Sequence, residues 1–332
     1  MKNSFLKVEN LSIGYKSKKK TLVLYESLSF SLNRGEFVCL LGPNGAGKST
    51  LLRTITGGQL SFDGRVIVNN QDLTFLSKKE IAKHFAVVLT DSVLVDNMSV
   101  LDLVAMGRYP YTDYWGNLKA EDWDIVEESI VLCGIEDLKY RHLNSLSDGE
   151  RQKVMIAKAL AQDTPLIILD EPTAFLDFPS KMEIIAILRD LTIHKNKIIL
   201  MSTHDMELAL QMSDKIWLLN KNYGFKQGTP EDLILQGKIN LFFDKGNVGF
   251  NPLSGKFELK TTANRKINLQ GGELQRKWLN SALAKINIKG VEGKDFPLIS
   301  ASQNNYLYYK DKESILFQTN SIEELISFIR TL

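Results

Sequence analysis

The chain has 332 residues, which is too long for one small domain and suits two domains or one large domain with an appendage. Its hydrophobic fraction of 44% and charged fraction of 24% are those of an ordinary globular protein. The net charge of +2 argues against a dedicated nucleic-acid-binding protein, which usually carries a strong basic excess.

The N terminus, the apolar runs and the cysteines give evidence on secretion, membrane insertion and disulfide or metal sites. The first residues, MKNSFLKVEN, contain no long apolar stretch, so we expect no signal peptide. No apolar run approaches the ~20 residues that a membrane-spanning helix needs. Cys39 and Cys133 lie in apolar patterns, which indicates two small buried side chains rather than a disulfide or a metal site. We expect a soluble cytoplasmic chain that would meet a membrane only through a partner.

The first part of the chain is predicted to be β structure followed by a glycine-rich loop. Residues 5–41 alternate and turn in the way an antiparallel β region does. The apolar run 37-FVCLL-41 ends at glycines, and 49-STLLRTITG-57 then has the pattern of an amphipathic helix. This order of strand, loop and helix is the context in which phosphate-binding loops occur.

The middle of the chain alternates apolar strands with helices. The strands are 85-FAVVL-89, 166-LIILD-170 and 197-KIILMST-203, and a helix is predicted over about 179–194. Continuously apolar strands that alternate with helices predict a mostly parallel sheet covered on both faces. A mostly helical block interrupts these strands, so we predict an inserted helical subdomain over about 91–164.

A composition shift follows the segment 228-GTPEDL-233. Residues 238–332 are rich in Asn, Lys and short alternating runs, and helical patterns occupy 273–285 and 321–330. We therefore predict a main α/β domain over 1–237 and a small C-terminal α+β domain over 238–332.

The loop 42-GPNGAGKS-49 matches the phosphate-loop pattern G-x-x-x-x-G-K-[ST]. Glycines let the backbone bend so that successive N–H groups face phosphate oxygens, and the following helix N terminus adds positive potential. In this pattern Lys48 reaches the β- and γ-phosphates, and the hydroxyl of Ser49 can bind Mg²⁺. The loop therefore predicts binding of a nucleoside triphosphate.

The segment 166-LIILDEP-172 places two acidic residues at the end of a buried strand, where ligands bind in such sheets. Asp170 fits the role of holding Mg²⁺, and Glu171 can orient and polarise an attacking water. Together with the phosphate loop, this pair predicts a nucleotide hydrolase.

A third motif, 146-LSDGERQKV-154, resembles the LSGGQ signature of ATP-binding-cassette (ABC) proteins. The chain over about residues 4–235 resembles this family in the order of its motifs, and three further segments take part: 11-LSIGY-15, 173-TAFLD-177 and 202-STHD-205. The resemblance implies the P-loop NTPase ABC-cassette fold. That fold has a mostly parallel sheet, an antiparallel β subdomain and an inserted helical subdomain, and here a small C-terminal α+β domain would follow it.

The resemblance also implies an ATPase with ATP and Mg²⁺ as its ligands, and it assigns residues to roles. The implied catalytic residues are Glu171, His204 and Lys48. The implied ATP-binding residues are Tyr15 (stacked on adenine), Gly42, Pro43, Asn44, Gly45, Ala46, Gly47, Lys48, Ser49, Thr50, Ser147, Gly149 and Asp177. Ser49 and Asp170 are the implied metal ligands.

In the family, the signature of one subunit faces the γ-phosphate held by the other. The resemblance therefore implies a head-to-tail homodimer that closes on two ATP molecules. This chain departs from the common signature at Asp148 and Glu150, which replace Gly and Gln. We expect the Asp148 side chain to point away from ATP, because Ser147 and Gly149 are kept.

The family also places a glutamine after the strand 85-FAVVL-89, where it contacts Mg²⁺ and links the ATP site to the permease. No glutamine occurs there in this chain; Thr90 and Asp91 occupy the position. We predict that one of these two is a metal ligand, with Thr90 favoured by register and Asp91 by its reach and charge.

The lack of membrane-spanning segments implies an ATP-binding subunit that serves separate membrane permease subunits at the cytoplasmic face of the cell membrane. The segment 101-LDLVAMGRYPY-111 resembles the subfamily that imports iron–siderophores, haem and cobalamin, whose substrates arrive through an external binding protein. We expect some of the aromatic residues at 109–115 to pack the helical subdomain and others to receive the permease. The alternatives are import of a free metal ion and a soluble ABC regulator without a permease. Residues 238–332 are either a packing extension or a regulatory domain.

Overall fold

The computed structural model of the chain divides it into two compact units. Unit 1 comprises Met1–Asp244 with Phe250–Lys256, and unit 2 comprises Lys245–Gly249 with Phe257–Leu332. The predicted domain boundary after residue 237 stays a prediction. The structure describes residues 4–16, 21–89, 98–174, 176–243, 246–259, 265–293, 295, 297–302, 305–311 and 314–332.

The elements of unit 1 begin with strands and continue with alternating helices and strands. Its described strands are β1 (Leu6–Lys16), β2 (Thr21–Leu32), β3 (Phe37–Leu41), β4 (Asp63–Val68), β5 (Gln71–Asp72), β6 (Phe85–Val88), β7 (Leu166–Asp170), β8 (Ile198–Ser202), β9 (Lys215–Asn220) and β10 (Gly224–Gly228). Its described helices are α1 (Lys48–Ile55), α2 (Lys78–Ile81), α3 (Val100–Ala105), α4 (Ala120–Leu132), α5 (Asp148–Ala161), α6 (Phe178–His194), α7 (Met206–Met212), α8 (Pro230–Leu235) and α9 (Lys238–Phe243).

Two sheets organise unit 1. One has the order β10-β9-β3-β8-β7-β6, and its strands run parallel except for β10 at the edge. The other is antiparallel, with the order β2-β1-β4-β5. Strand β3, which is entirely apolar, and strand β8, which is apolar up to its last residue Ser202, are buried along their whole length, as expected for strands covered on both faces. The predicted cassette fold, with its antiparallel β subdomain, is confirmed.

A continuous core joins the antiparallel sheet, helix α1 and one face of the parallel sheet. Trp217 is fully buried in it, with its ring centroid 4.3 Å from that of Phe30. Because α1 packs into this core, the residues at its start are held against the carboxyl ends of the parallel strands.

The helical subdomain packs α3 and α4 against α5. A 3-10 helix, Met106–Tyr111, follows α3 and lies on the last turns of α5. A Cβ at Gly107 would come within 2.3 Å of the Lys158 carbonyl oxygen, so only glycine allows this close approach. Arg108 is buried beside it and donates from Nη1 to the Ala161 carbonyl at 2.9 Å. The Gly-Arg pair thus ties this segment to the end of α5.

Unit 2 has its own mixed sheet, with the order β14-β13-β15-β16-β17. Strand β13 runs parallel to β14 and β15, and β15, β16 and β17 form an antiparallel meander. Two helices share a core with one face of this sheet, as the predicted α+β pattern requires. Its elements are β13 (Arg265–Gly271), α10 (Glu273–Ala284), β14 (Ile288–Glu292), β15 (Leu298–Ser302), β16 (Asn305–Tyr309), β17 (Ile315–Thr319) and α11 (Ile322–Arg330). Two short strands, β11 (Val248–Asn251) and β12 (Lys256–Leu259), pair with each other, and each contains residues assigned to unit 1 as well as to unit 2.

Across the described ranges, none of the helices combines the length and the apolar character that crossing a membrane requires.

Candidate active site

The predicted phosphate loop connects β3 to α1. Gly47 is the N-cap of α1 and has φ 99°, a left-handed conformation that favours glycine. Lys48 is the first residue of the helix and is buried, and its Nζ donates to the Gly42 carbonyl at 3.0 Å. The lysine is therefore folded back over the loop that precedes it.

The strand order explains why distant residues meet here. Strands β3, β8 and β7 are parallel neighbours, so their carboxyl ends lie at the same edge of the sheet. Ser49 follows β3 and donates from Oγ to Asp170 Oδ2 at 2.8 Å. Ser202, at the end of β8, donates to Asp170 Oδ1 at 2.5 Å. Hydroxyls from both neighbouring segments thus hold the Asp170 carboxylate.

Glu171, His204 and Lys48 form one cluster at this edge. His204 Nε2 lies 2.6 Å from Glu171 Oε1. Lys48 Nζ lies 3.3 Å from His204 Nε2 and 3.7 Å from Glu171 Oε1. The three residues predicted to be catalytic are therefore in direct contact.

Lys48 is the most deeply buried residue of the cluster. Desolvation lowers the pKa of its ammonium, and the negative charges of Glu171 and Asp170 oppose that shift. The buried ammonium is thus stabilised by the two acidic side chains, and an arriving phosphate would offer it a further anionic partner.

Glu171 has a backbone conformation that non-glycine residues rarely adopt, with φ 53°. Its N–H donates to Ser202 Oγ at 3.0 Å and approaches the Ser202 carbonyl oxygen at 3.2 Å. Such conformations persist only where surrounding contacts hold them, and they cluster at functional sites. Ser202 therefore orients both acidic residues, a role that the sequence analysis did not assign.

Tyr15 lies beside the phosphate loop. Its side chain is half exposed, and its hydroxyl is hydrogen-bonded to Thr50 Oγ1 in the first turn of α1. One edge of the ring is thus anchored to the loop's helix while part of the ring stays accessible to a ligand.

Ser147, Gly149 and Asp177 belong to a second group of contacts. Ser147 caps α5, and Gly149 packs so closely on α6 that a Cβ there would lie 3.1 Å from Ser180 Oγ. Asp177 caps α6 and accepts from Ser180 N at 3.1 Å, and the Ser180 hydroxyl, followed by this N–H, lowers the pKa of its carboxyl. Ser180 therefore lies against Gly149 of the predicted signature and is hydrogen-bonded to Asp177 of the predicted interface loop.

The two unusual acids of the signature point to different partners. The Asp148 side chain is 71% exposed and lies 3.3 Å from Arg151 Nη1. Glu150 accepts from both N and Oγ of Ser147 at 2.8 Å. The Ser147 backbone N–H, then its hydroxyl and more weakly Arg141 lower the pKa of Glu150, so this carboxylate is ionised.

The predicted metal ligands include two oxygen donors that the structure brings together. Ser49 and Asp170 present a hydroxyl and a carboxylate side by side, the hard ligands that Mg²⁺ prefers, and this donor set fits a magnesium ion that also binds phosphate oxygens. Thr90 and Asp91, the other two predicted ligands, lie outside the described residues.

The aromatic segment after α3 has buried and exposed parts. Tyr111 packs inward, with the Arg108 guanidinium 4.0 Å from its ring centroid. Tyr109, Tyr114 and Trp115 are among the most exposed large side chains of the chain. The inward ring packs the helical subdomain, whereas the other three are exposed, with the ring centroids of Tyr114 and Trp115 5.6 Å apart.

Comparison with known proteins gives consistent matches. Residues 25–174 match the family model described as ABC transporter. An uncharacterized ABC transporter ATP-binding protein of Methanocaldococcus jannaschii is 43% identical over 79% of this chain and 90% of its own length. The iron(3+)-hydroxamate import ATP-binding protein of Bacillus subtilis is 37% identical over 69% of this chain and 84% of its own length. A solved structure described as a metal-chelate type ABC transporter, in an inward-facing conformation, aligns with TM-score 0.64 and 30% identity over 73% of this chain and 89% of its own.

Proposed function

The chain belongs to the ABC transporter family as an ATP-binding subunit, and we propose that it powers the import of a metal chelate, such as an iron–siderophore or haem, or of cobalamin. It is an ATPase, and ATP-binding subunits of this family form dimers and work with membrane permeases. The similarity to an iron-hydroxamate import protein and the segment 101-LDLVAMGRYPY-111 support the substrate class.

The contact between Lys48, Glu171 and His204 is the main support for the proposed catalytic mechanism. A cation, a carboxylate and an imidazole meet directly beside the phosphate loop. These are the groups that phosphoryl transfer to water requires: charge to hold the phosphates and a base to orient the nucleophile.

We assign ATP binding to the loop of residues 42–50, whose N–H groups would hold the phosphates. Lys48 would exchange its contact with the Gly42 carbonyl for the β- and γ-phosphates. Tyr15 would stack on the adenine.

Ser49 and Asp170 would hold Mg²⁺, which neutralises phosphate charge when bound. Thr90 or Asp91 would add a ligand at the position of the family's glutamine.

For hydrolysis, Glu171 would orient a water molecule and accept its proton as the water oxygen attacks the γ-phosphoryl group, so that ADP and phosphate are the products. His204 would hold the carboxylate in place, since its Nε2 lies 2.6 Å from Glu171 Oε1. The strained backbone of Glu171 fixes the direction from which that carboxylate reaches the site.

The second group of contacts would complete the site in a homodimer. Ser147 and Gly149 lie at the N terminus of α5, whose partial positive charge favours an anion. We propose that this terminus binds the γ-phosphate held by the partner, with Asp177 lining the interface between the subunits.

The exposed aromatic residues after α3 supply the proposed permease contact. Tyr109, Tyr114 and Trp115 are exposed aromatic side chains, of the kind that is common at interaction sites. Through this contact the chain would lie at the cytoplasmic face of the cell membrane, and an external binding protein would deliver the substrate to the permease.

Purification of the full chain from membranes of its source, followed by identification of what accompanies it, tests the proposed function. We expect a multi-span permease whose associated binding protein retains an iron chelate, haem or cobalamin. A binding protein that retains a free metal ion would replace the proposed substrate class. Absence of any membrane protein would favour a soluble regulatory ATPase instead.

A further inference from the structure

Tyr25 is a buried tyrosine of β2 whose hydroxyl reaches the phosphate loop. Only 6% of its surface is exposed, and its hydroxyl donates to the Ala46 carbonyl at 2.7 Å. The residue lies outside every motif of the chain, and the roles assigned to the site so far do not involve it. Its partner is the backbone of the loop, so the contact bears on the loop's shape.

The contact fixes one peptide group of the loop. In a trans peptide the C=O and N–H point in opposite directions. With the Ala46 oxygen held toward β2, the N–H of Gly47 must face the other way. Ala46 N donates to the Pro43 carbonyl at 3.1 Å, which restrains the preceding peptide as well.

The ring of Tyr25 also limits the next residue. A Cβ at Gly47 would lie 3.3 Å from the ring carbon Cε2 and 3.1 Å from Leu24 Cδ1. Two side chains of β2 therefore pack on the point where the loop turns into α1, at the left-handed Gly47.

We infer that Tyr25 is a positioning residue for nucleotide binding: it holds the Ala46–Gly47 peptide so that the Gly47 N–H is aimed at the phosphates before ATP arrives. Rotation of this peptide would break the hydrogen bond between the Tyr25 hydroxyl and the Ala46 oxygen and leave both groups buried, which costs free energy. A loop that is already ordered binds its ligand more tightly, because binding then requires no free energy to order the loop. The inference rests on the proposed role of residues 42–50 in holding the phosphates.

The Tyr25 hydroxyl can donate its hydrogen bond to the loop at any physiological pH. Burial raises the pKa of Tyr25 to about 12, so the phenol keeps its proton and remains a donor.

The test compares Tyr25→Phe with Thr164→Val in the full chain. Tyr25→Phe keeps the ring and removes the hydrogen bond to the loop. Thr164→Val removes another buried side-chain hydrogen bond, to the Leu166 carbonyl at 3.0 Å, in the turn before β7. The two variants should lose similar thermal stability, which separates a general structural effect from an effect on the loop.

We expect Tyr25→Phe to weaken ATP and ADP binding by about 3- to 10-fold, the typical weight of one hydrogen bond, and to leave adenosine binding unchanged. KM for ATP should rise by the same factor with kcat unchanged, because the loop holds the phosphates throughout the reaction. Thr164→Val should bind all three ligands as the unaltered chain does.

Two outcomes would overturn the inference. Tyr25→Phe could bind ATP as tightly as the unaltered chain, or Thr164→Val could weaken ATP binding equally. Lys48→Ala distinguishes these failures from a failure of the proposed site, since it should abolish ATP binding. If Lys48→Ala binds ATP normally, residues 42–50 do not hold the phosphates and the inference falls with that assignment.

Discussion

At the scale of single residues, the signature carries two acids where an anion is expected, and the structure shows how their charges are balanced. Asp148 extends into solvent toward Arg151, and Glu150 is held by Ser147 with Arg141 at 3.6 Å. Each acid therefore has an arginine nearby. At the N terminus of α5, the backbone N–H groups of Ser147 and Glu150 are hydrogen-bonded within the capping box that these two residues form.

This arrangement predicts that Asp148→Asn changes ATP affinity and ATPase rate by about fivefold at most, because an exposed ion pair contributes only roughly 0–1 kcal/mol. Ser147→Ala, its neighbour on the same turn, should reduce ATP-dependent dimerisation by about tenfold or more through loss of a hydrogen bond to a charged group. Both are measured by ATPase assay and by sedimentation with ATP. A large gain of affinity in Asp148→Asn would show that the acid opposes ATP.

Part of the site could be predicted from sequence because its residues form local patterns. Lys48, Ser49 and the pair Asp170–Glu171 sit in short motifs whose strand-to-loop context is visible in the chain. The contacts of Tyr25 with Ala46 and of Ser202 with Asp170 depend on how sheets register and pack. Local periodicity contains no information on such long-range pairings, although the position of Ser202 at a strand end was a usable signal.

At the scale of elements, helix boundaries follow from capping and apolar spacing. The helix predicted over 273–285 is observed as Glu273–Ala284, and that predicted over 321–330 as Ile322–Arg330. The 3-10 segment Met106–Tyr111 was not predicted, since its shape comes from Gly107 and Arg108 packing on the end of α5. Tertiary contact, rather than propensity, determines its conformation.

Arg108 is expected to be the main stabilising residue of the helical subdomain. Its Nε lies 2.9 Å from Asp122 Oδ1, and the two side chains are only 6% and 9% exposed. Arg108→Ala would leave the buried Asp122 carboxylate without its cationic partner, with the Lys119 N–H at 2.9 Å still donating to it, and should lower the free energy of unfolding by about 3–5 kcal/mol.

Thermal or urea unfolding measures this effect. Lys195→Ala is the matched control, because it removes an exposed ion pair with Glu128 and should cost about 1 kcal/mol or less. Equal losses of stability in the two variants would contradict the main stabilising role assigned to Arg108 in the helical subdomain.

At the scale of the whole molecule, the two units have separate cores. The core of unit 1 surrounds α1 and the two sheets, and that of unit 2 lies between its sheet and helices α10 and α11. The helix α9, which contributes the buried Ile239 and Phe242, belongs to unit 1 although it follows residue 237.

This division predicts that a chain ending at Lys256 folds cooperatively and hydrolyses ATP, because unit 1 contains all the residues assigned to the site. Circular dichroism melting and an ATPase assay measure the outcome. An aggregated or inactive product would show that unit 1 depends on unit 2. A changed affinity of the ATP-dependent dimer in an otherwise active product would assign unit 2 a regulatory role, and an unchanged one would leave it a packing extension.

The rate of ATP hydrolysis by Glu171→Gln is the most direct test of the catalytic role proposed for the cluster of Lys48, Glu171 and His204. The amide keeps the size of the side chain and cannot accept a proton from water. The role of Glu171 as general base predicts a loss of about 10²–10⁴-fold in kcat, with ATP still bound and the ATP-dependent dimer accumulating. Hydrolysis at the rate of the unaltered chain would contradict it.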